Sequence, residues 1–224
     1  MSHCFVRTWR HRLAARAQKG GVVSYISSLT LKVADLERFI TGWNDSGKEA
    51  SLRVANDVWA SQAIMAGERA GEISVIYHWD SIDAAMDGVV ALRNDPGILK
   101  TLSDSGSETV RRVLVRVDAE RGGRNGKYVT LLTSISDPIA PEAQTAAVDR
   151  VWEVVSRHGG NGQMWGQILA GGPMTGTYIL ATTADSLDTL LEGTAEIMAS
   201  TEQQQYFADH NATLTGRTMS RRLE

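Results

Sequence analysis

Slid against itself by 105 residues, the chain aligns without a gap, so that residues 60–119 face residues 165–224. Identities fall at Gln62/Gln167, Gly67/Gly172, Gly71/Gly176, Asp80/Asp185, Ser81/Ser186, Asp83/Asp188, Gly88/Gly193, Asp104/Asp209, Arg112/Arg217 and Arg116/Arg221. Ordinary residue frequencies give about four matches over such a stretch. Their residue types carry more weight than their number. Glycines, an Asp-Ser-x-Asp phrase and paired arginines mark turns and element boundaries, not generic core. Further upstream, Tyr25-x-x-x-Leu29-Thr30 corresponds to Tyr128-x-x-x-Leu132-Thr133.

Each half reads as the same series of elements. An apolar stretch rich in β-formers (residues 22–33 and 127–136) leads into helical spacing, with Leu36, Phe39, Ile40 and Trp43 on one face and Val148, Val151, Trp152 and Val155 on its counterpart. A hairpin follows. Trp59 to Ala66 and Ile73 to Trp79 flank Gly67-Glu-Arg-Ala-Gly71, while Met164 to Ala170 and Thr177 to Thr183 flank the Gly171 to Gly176 turn. Asp80-Ser-x-Asp83 and Asp185-Ser-x-Asp188 open a helix whose first N–H groups they cap, and Val110 to Val117 and Thr213 to Leu223 close the units.

The order β-α-β-β-α-β, twice, predicts an α+β fold: tandem ferredoxin-like units whose antiparallel sheets pair as an α/β barrel within one chain. Such a sheet has helices on one face, so the other must be covered, and fusion supplies the second copy. The expected organisation is a basic, disordered extension over 1–21, units at 22–118 and 127–224, and a polar linker at 119–126.

This pattern resembles the dimeric α/β-barrel superfamily, and within it NIPSNAP-like and antibiotic-biosynthesis-monooxygenase-like proteins. The resemblance covers residues 22–224 and rests on the repeated unit and on the phrase Tyr77-His78-Trp79-Asp80-Ser81-x-Asp83-Ala84…Leu92-Arg93-x-Asp95-Pro96. The second half lacks the Arg-x-Asp-Pro part, reading Met198-Ala-Ser200-Thr201. Members include cofactor-independent monooxygenases, haem-degrading and haem-peroxidase proteins and small dehydratases, so the resemblance implies a fold without selecting a reaction. Haem is the one cofactor it brings into consideration; no motif in the chain calls for a cofactor.

Familiar catalytic signatures are missing: no Gly-x-Ser-x-Gly, phosphate-binding loop, dinucleotide fingerprint or His-Glu-x-x-His occurs. One cysteine, Cys4, rules out an internal disulfide framework and fits a cytoplasmic setting. The net charge of −3 hides an asymmetry, because Arg7, Arg10, Arg12, Arg16 and Lys19 give the first 20 residues +5 and leave −8 for the rest. An acidic body argues against nucleic-acid partners, which need clustered Lys and Arg. No apolar run is long enough for a membrane span, and a homo-oligomer is expected from the outer surfaces that a fused pair leaves free.

Among the five histidines, His158 reads as a helix C-cap, His210 as a solvated loop residue, and His3 and His11 fall in the basic head. His78 ends a strand and is the candidate general base or axial haem ligand. Trp59, Tyr77, Trp79 and Trp165 form an aromatic set with two readings open: core packing, or the wall of a pocket. Gln62 and Gln167 occupy equivalent mid-strand positions, either as ligand contacts or as a pair bonded across a pseudo-twofold axis. The leading expectation is a protein that binds a small apolar or aromatic molecule in a cleft of the barrel, without required catalysis. A monooxygenase or haem-degrading enzyme using His78, and a scaffold assembled through its sheet edges, are the alternatives. Because the halves disagree at His78 and Trp79, any site is expected to be asymmetric and based in the first half.

Overall fold

The computed structural model describes residues 24–223; the basic head, with Cys4, His3 and His11, lies outside them. The first half runs β1 (Ser24–Val33), helix α1 (Leu36–Gly42, a π turn at Trp43–Gly47, then Lys48–Leu52), β2 (Asp57–Met65), β3 (Ile73–Trp79), α2 (Ile82–Asn94), α3 (Pro96–Asp104) and β4 (Ser107–Gly122). The second half runs β5 (Tyr128–Ile135), α4 (Pro141–Arg157), β6 (Gly160–Ala170), β7 (Tyr178–Ala184), α5 (Leu187–Ala199), α6 (Thr201–Asp209) and β8 (Thr213–Leu223).

All pairings are antiparallel and the ring closes as β1-β3-β2-β8-β5-β7-β6-β4. Each half therefore contributes four strands in the same order, β4-β1-β3-β2 and β8-β5-β7-β6, and the halves join where β2 meets β8 and β4 meets β6. Closure satisfies every strand on both sides. A scaffold assembling through sheet edges thus finds no open edge in the barrel. Strand β4 also runs past Val117, with Ala119 to Gly122 paired to β6, so residues read as linker carry part of the barrel wall.

The matched residues do local work. Gly67 and Gly172 take φ of 59° and 61°, and Gly71 and Gly176 both 88°, so the two hairpin turns share a left-handed geometry that favours glycine. In the Asp-Ser-x-Asp phrases it is serine that caps: Ser81 Oγ accepts from Ala84 N and Ser186 Oγ from Thr189 N. Asp185 instead accepts from Lys127 N and Asn161 Nδ2. The Arg93-x-Asp95-Pro96 phrase starts an unforeseen second helix. Asp95 caps α3 through Gly97 N and Ile98 N with Pro96 in the first turn, and Ser200 does the same for α6. Sequences that differ here make one structure.

Strand alternation sends one set of side chains to the helices and the other into the lumen. The first half's sheet–helix core is aromatic: Phe39 stacks near Trp43 and Tyr77 near Trp79. Trp79, 2% exposed, lies against Gly88, whose hydrogen leaves room that a Cβ would take at 2.3 Å from the indole. The second half's core is built from Val151, Val155, Ala184, Leu190 and Ile197. In the 105-residue alignment Ala184 stands for Trp79 and Thr182 for Tyr77. The exchange runs the other way at neighbouring positions, where Trp165 stands for Ala60 and Tyr178 for Ile73, and these two rings pack at 6.0 Å.

Candidate functional site

Between the β5–β8 sheet and helices α4, α5 and α6 lies a cavity of about 60 Å³, walled by Val148, Val151, Leu180, Ile197 and Phe207 among others. Three buried polar atoms in its lining have no hydrogen-bond partner: Gln163 Oε1, Trp165 Nε1 and Tyr206 Oη. Gln163 and Trp165 are alternate residues of β6 and so share its helix-facing side. Gln163 Nε2 donates to Val148 O at 3.2 Å, and the residue lines both this cavity and the barrel lumen. Burial pushes the Tyr206 hydroxyl's pKa up, keeping it a neutral phenol able to donate. Its ring is positioned by the His210 ring at 4.7 Å and the Arg150 guanidinium at 5.9 Å. Each orphaned buried group costs roughly 1–3 kcal/mol, so three around one apolar space call for an occupant.

The second space is the barrel lumen, about 180 Å³, lined on its apolar side by Ile26, Ile76, Val115, Ile168 and Ile179. His78 faces it, 4% exposed, with Nδ1 unpartnered. Desolvation, with Arg124 adding a smaller repulsion, lowers the His78 pKa to about 3, so the imidazole is neutral. Trp59 also lines the lumen and carries the Arg222 guanidinium 5.1 Å above its ring.

The sequence-predicted residues are thus divided. His78 and Trp59 share the lumen; Trp165 lines the sheet–helix cavity of the second half. Tyr77 and Trp79 point the opposite way from His78, into solid core, where Trp79 Nε1 donates to Ser27 Oγ at 3.0 Å. A site in which Trp79 positions a substrate for His78 is excluded, because the two project from opposite faces of one strand. Gln62 and Gln167 face outward on β2 and β6, four places apart in the ring, and so cannot bond to each other. Gln167 instead donates to Gly176 O and meets Arg116. His158 caps α4 and pairs with Glu196 at 2.9 Å. Arg112 finds no acid: its Nε and Nη1 are buried without partners. Gln163, Tyr206 and Thr182 escaped notice, although the loss of Trp79 and Tyr77 at positions 184 and 182 was the readable signal.

Haem does not fit either space as its side chains stand. No histidine or cysteine lines the sheet–helix cavity, and both volumes fall below the roughly 300–1,000 Å³ of pockets that hold drug-sized ligands. Among the described residues no cluster of His, Cys, Asp or Glu could hold a metal ion, and no helix is long and apolar enough to cross a membrane.

Solved structures share this architecture. A candidate chlorite dismutase superposes with a TM-score of 0.61 at 8% identity, over 90% of this chain and 95% of that one. The shared fold is an α+β barrel of eight antiparallel strands, compatible with the dimeric α/β barrel. A candidate monooxygenase from Lactobacillus acidophilus follows at 0.56 and 11%, covering 90% and 95%, and an anthrone oxidase-like protein at 0.52 and 13%, covering 89% and 92%. Identities this low establish the fold alone. The sequence matches no family model and no curated protein.

Proposed function

We propose that the chain binds a small, flat, mostly apolar molecule carrying one carbonyl and one hydroxyl in the sheet–helix cavity of the second half. The observation that carries this reading is the convergence of three unpartnered buried polar atoms on one apolar space. Trp165 Nε1 and Tyr206 Oη donate to the carbonyl, and Gln163 Oε1 accepts from the hydroxyl. As the side chains stand, the room suits about two waters. A ring-sized ligand requires lining side chains to move, of which Met198 is flexible and Leu214 is 40% exposed.

An oxygenase is the second reading, supported by the monooxygenase and anthrone oxidase-like proteins that share the fold. Against it, Gln163, Trp165 and Tyr206 include no general base, and His78 lies across the sheet. The NIPSNAP-like resemblance rests on the repeated unit and the Tyr77 to Pro96 phrase, the origin of the halves by duplication on the matched turns and caps, and a cytoplasmic location on the single cysteine and the lack of a long apolar run.

Titration with 4-hydroxyacetophenone, read by thermal shift and calorimetry, tests the binding reading. Tyr206→Phe and Gln163→Leu should each weaken binding by about 1–3 kcal/mol, roughly 5- to 150-fold. Equal affinity in wild type and both variants, or no binding by a panel of such ketones, overturns it. Oxygen uptake with anthrone separates the oxygenase from a binding protein.

A further inference from the structure

An eight-stranded barrel is just wide enough to be filled by its own side chains or to hold one small ligand. Here the filling is incomplete. Across the ring, Ile76 on β3 is matched by Ala181 on β7, Ser74 by Ile179, and Val115 on β4 by Ser220 on β8, so each large residue has a small counterpart. The remaining space of about 180 Å³ exceeds the roughly 150 Å³ that admits a benzene ring in an apolar protein cavity.

One residue in this wall is unsuited to being filler. His78 is buried, its Nδ1 has no partner, and it projects from β3 into a space bounded by aliphatic side chains and the hydroxyls of Ser28, Ser61 and Ser74. Each of the four arginines in the lumen lining is engaged by a carboxylate, and the Arg222 guanidinium lies over Trp59. Arg69 and Arg111 both pair with Glu72, Arg124 with Glu120 and Asp57, and Arg121 with Asp149. A neutral hydroxyl can donate to or accept from the imidazole in whichever tautomer it adopts, and needs none of these ion pairs to break.

We propose that the barrel lumen is a binding site for a small uncharged aromatic alcohol, of which phenol is the simplest, hydrogen-bonded through its hydroxyl to His78 Nδ1. The site is distinct from the sheet–helix cavity, since the two lie on opposite faces of the wall and share only Gln163 among their lining residues. Its ring rests among Ile26, Ile168 and Ile179, and its hydroxyl supplies the partner that His78 lacks.

Phenol and toluene titrated into the full chain, followed by methyl and histidine-ring NMR, provide the test. Saturable phenol binding should give contacts to the Ile26 and Ile179 methyls, not to Val148 or Ile197 in the other cavity, and should shift the His78 ring resonances. His78→Phe should weaken phenol by about five-fold or more while leaving toluene unchanged. Ser28→Leu, which fills the lumen, should abolish both. Contacts confined to Val148 and Ile197, or no saturable shift of the His78 ring in the wild type, overturn the proposal, and neither result depends on a variant folding. A lumen holding only water gives the second of these outcomes.

Discussion

A neutral histidine enclosed in a barrel makes stability fall as acid is added, and His78 allows the size to be worked out. Its folded-state pKa is about 3 against an ordinary 6.5. Between these values the unfolded chain binds a proton that the folded one refuses, so unfolding takes up protons and stability rises with pH. Above pH 6.5 neither state is protonated and there is no penalty. Each unit below it costs about 1.4 kcal/mol, so lowering the pH from 7 to 5 removes about 2 kcal/mol, with a limiting loss of about 5 kcal/mol once the pH reaches the folded pKa. This is a substantial share of the 5–15 kcal/mol typical of a domain. The groups facing the imidazole do not offset it: the Arg124 guanidinium opposes protonation, and Asp57 and Glu120 are engaged with Arg124. Urea titrations of wild type and His78→Gln at pH 7, 6 and 5 isolate the effect, since every other ionising group cancels in the difference. The variant should be about 2 kcal/mol less sensitive over that interval. Parallel pH profiles, or a His78 ring that titrates in the folded protein with a midpoint above 6, would refute the reasoning.

Three further outcomes follow from the packing. Gly88→Ala places a methyl 2.3 Å from the Trp79 ring, and the overpacking of about 1–3 kcal/mol should outweigh the roughly 1 kcal/mol gained in helix propensity, lowering the urea midpoint and perturbing the indole fluorescence. Glu72, 7% exposed, is held between Arg69 and Arg111, and these partners keep its pKa below the usual value against the opposing effect of burial. Glu72→Gln should cost about 3 kcal/mol by stranding two guanidinium groups, and the stability this carboxylate confers should be lost as the pH falls through its depressed pKa. Asp95→Ala removes the cap of α3 and the bond to Arg53 at 2.6 Å, an expected loss of about 1–2 kcal/mol with faster amide exchange at Gly97 and Ile98.

The turns were legible because they depend on local chemistry. Gly67, Gly71, Gly172 and Gly176 must adopt positive φ wherever the hairpins lie, and Ser81 and Ser186 cap the helices that follow them in the chain. The Arg-x-Asp-Pro phrase shows the limit of matching letters, since Asp95 and Ser200 perform the same capping with different residues. The sites were less legible. Alternation showed that His78 and Trp79 point to opposite faces, but which face is lumen depends on ring closure through β2–β8 and β4–β6, contacts between residues 40 to 163 positions apart.

The first half fills its sheet–helix space with Tyr77 and Trp79, and the open counterpart lies in the second half under Thr182 and Leu180. Sequence alone determined the order of elements and the repetition of turns and caps, because these follow from hydrogen bonds and dihedral preferences a few residues apart. Only the tertiary structure decided which side chains meet around empty space. A cavity is the difference between the volume that a closed wall encloses and the volume its side chains occupy, and no single stretch of chain carries both quantities.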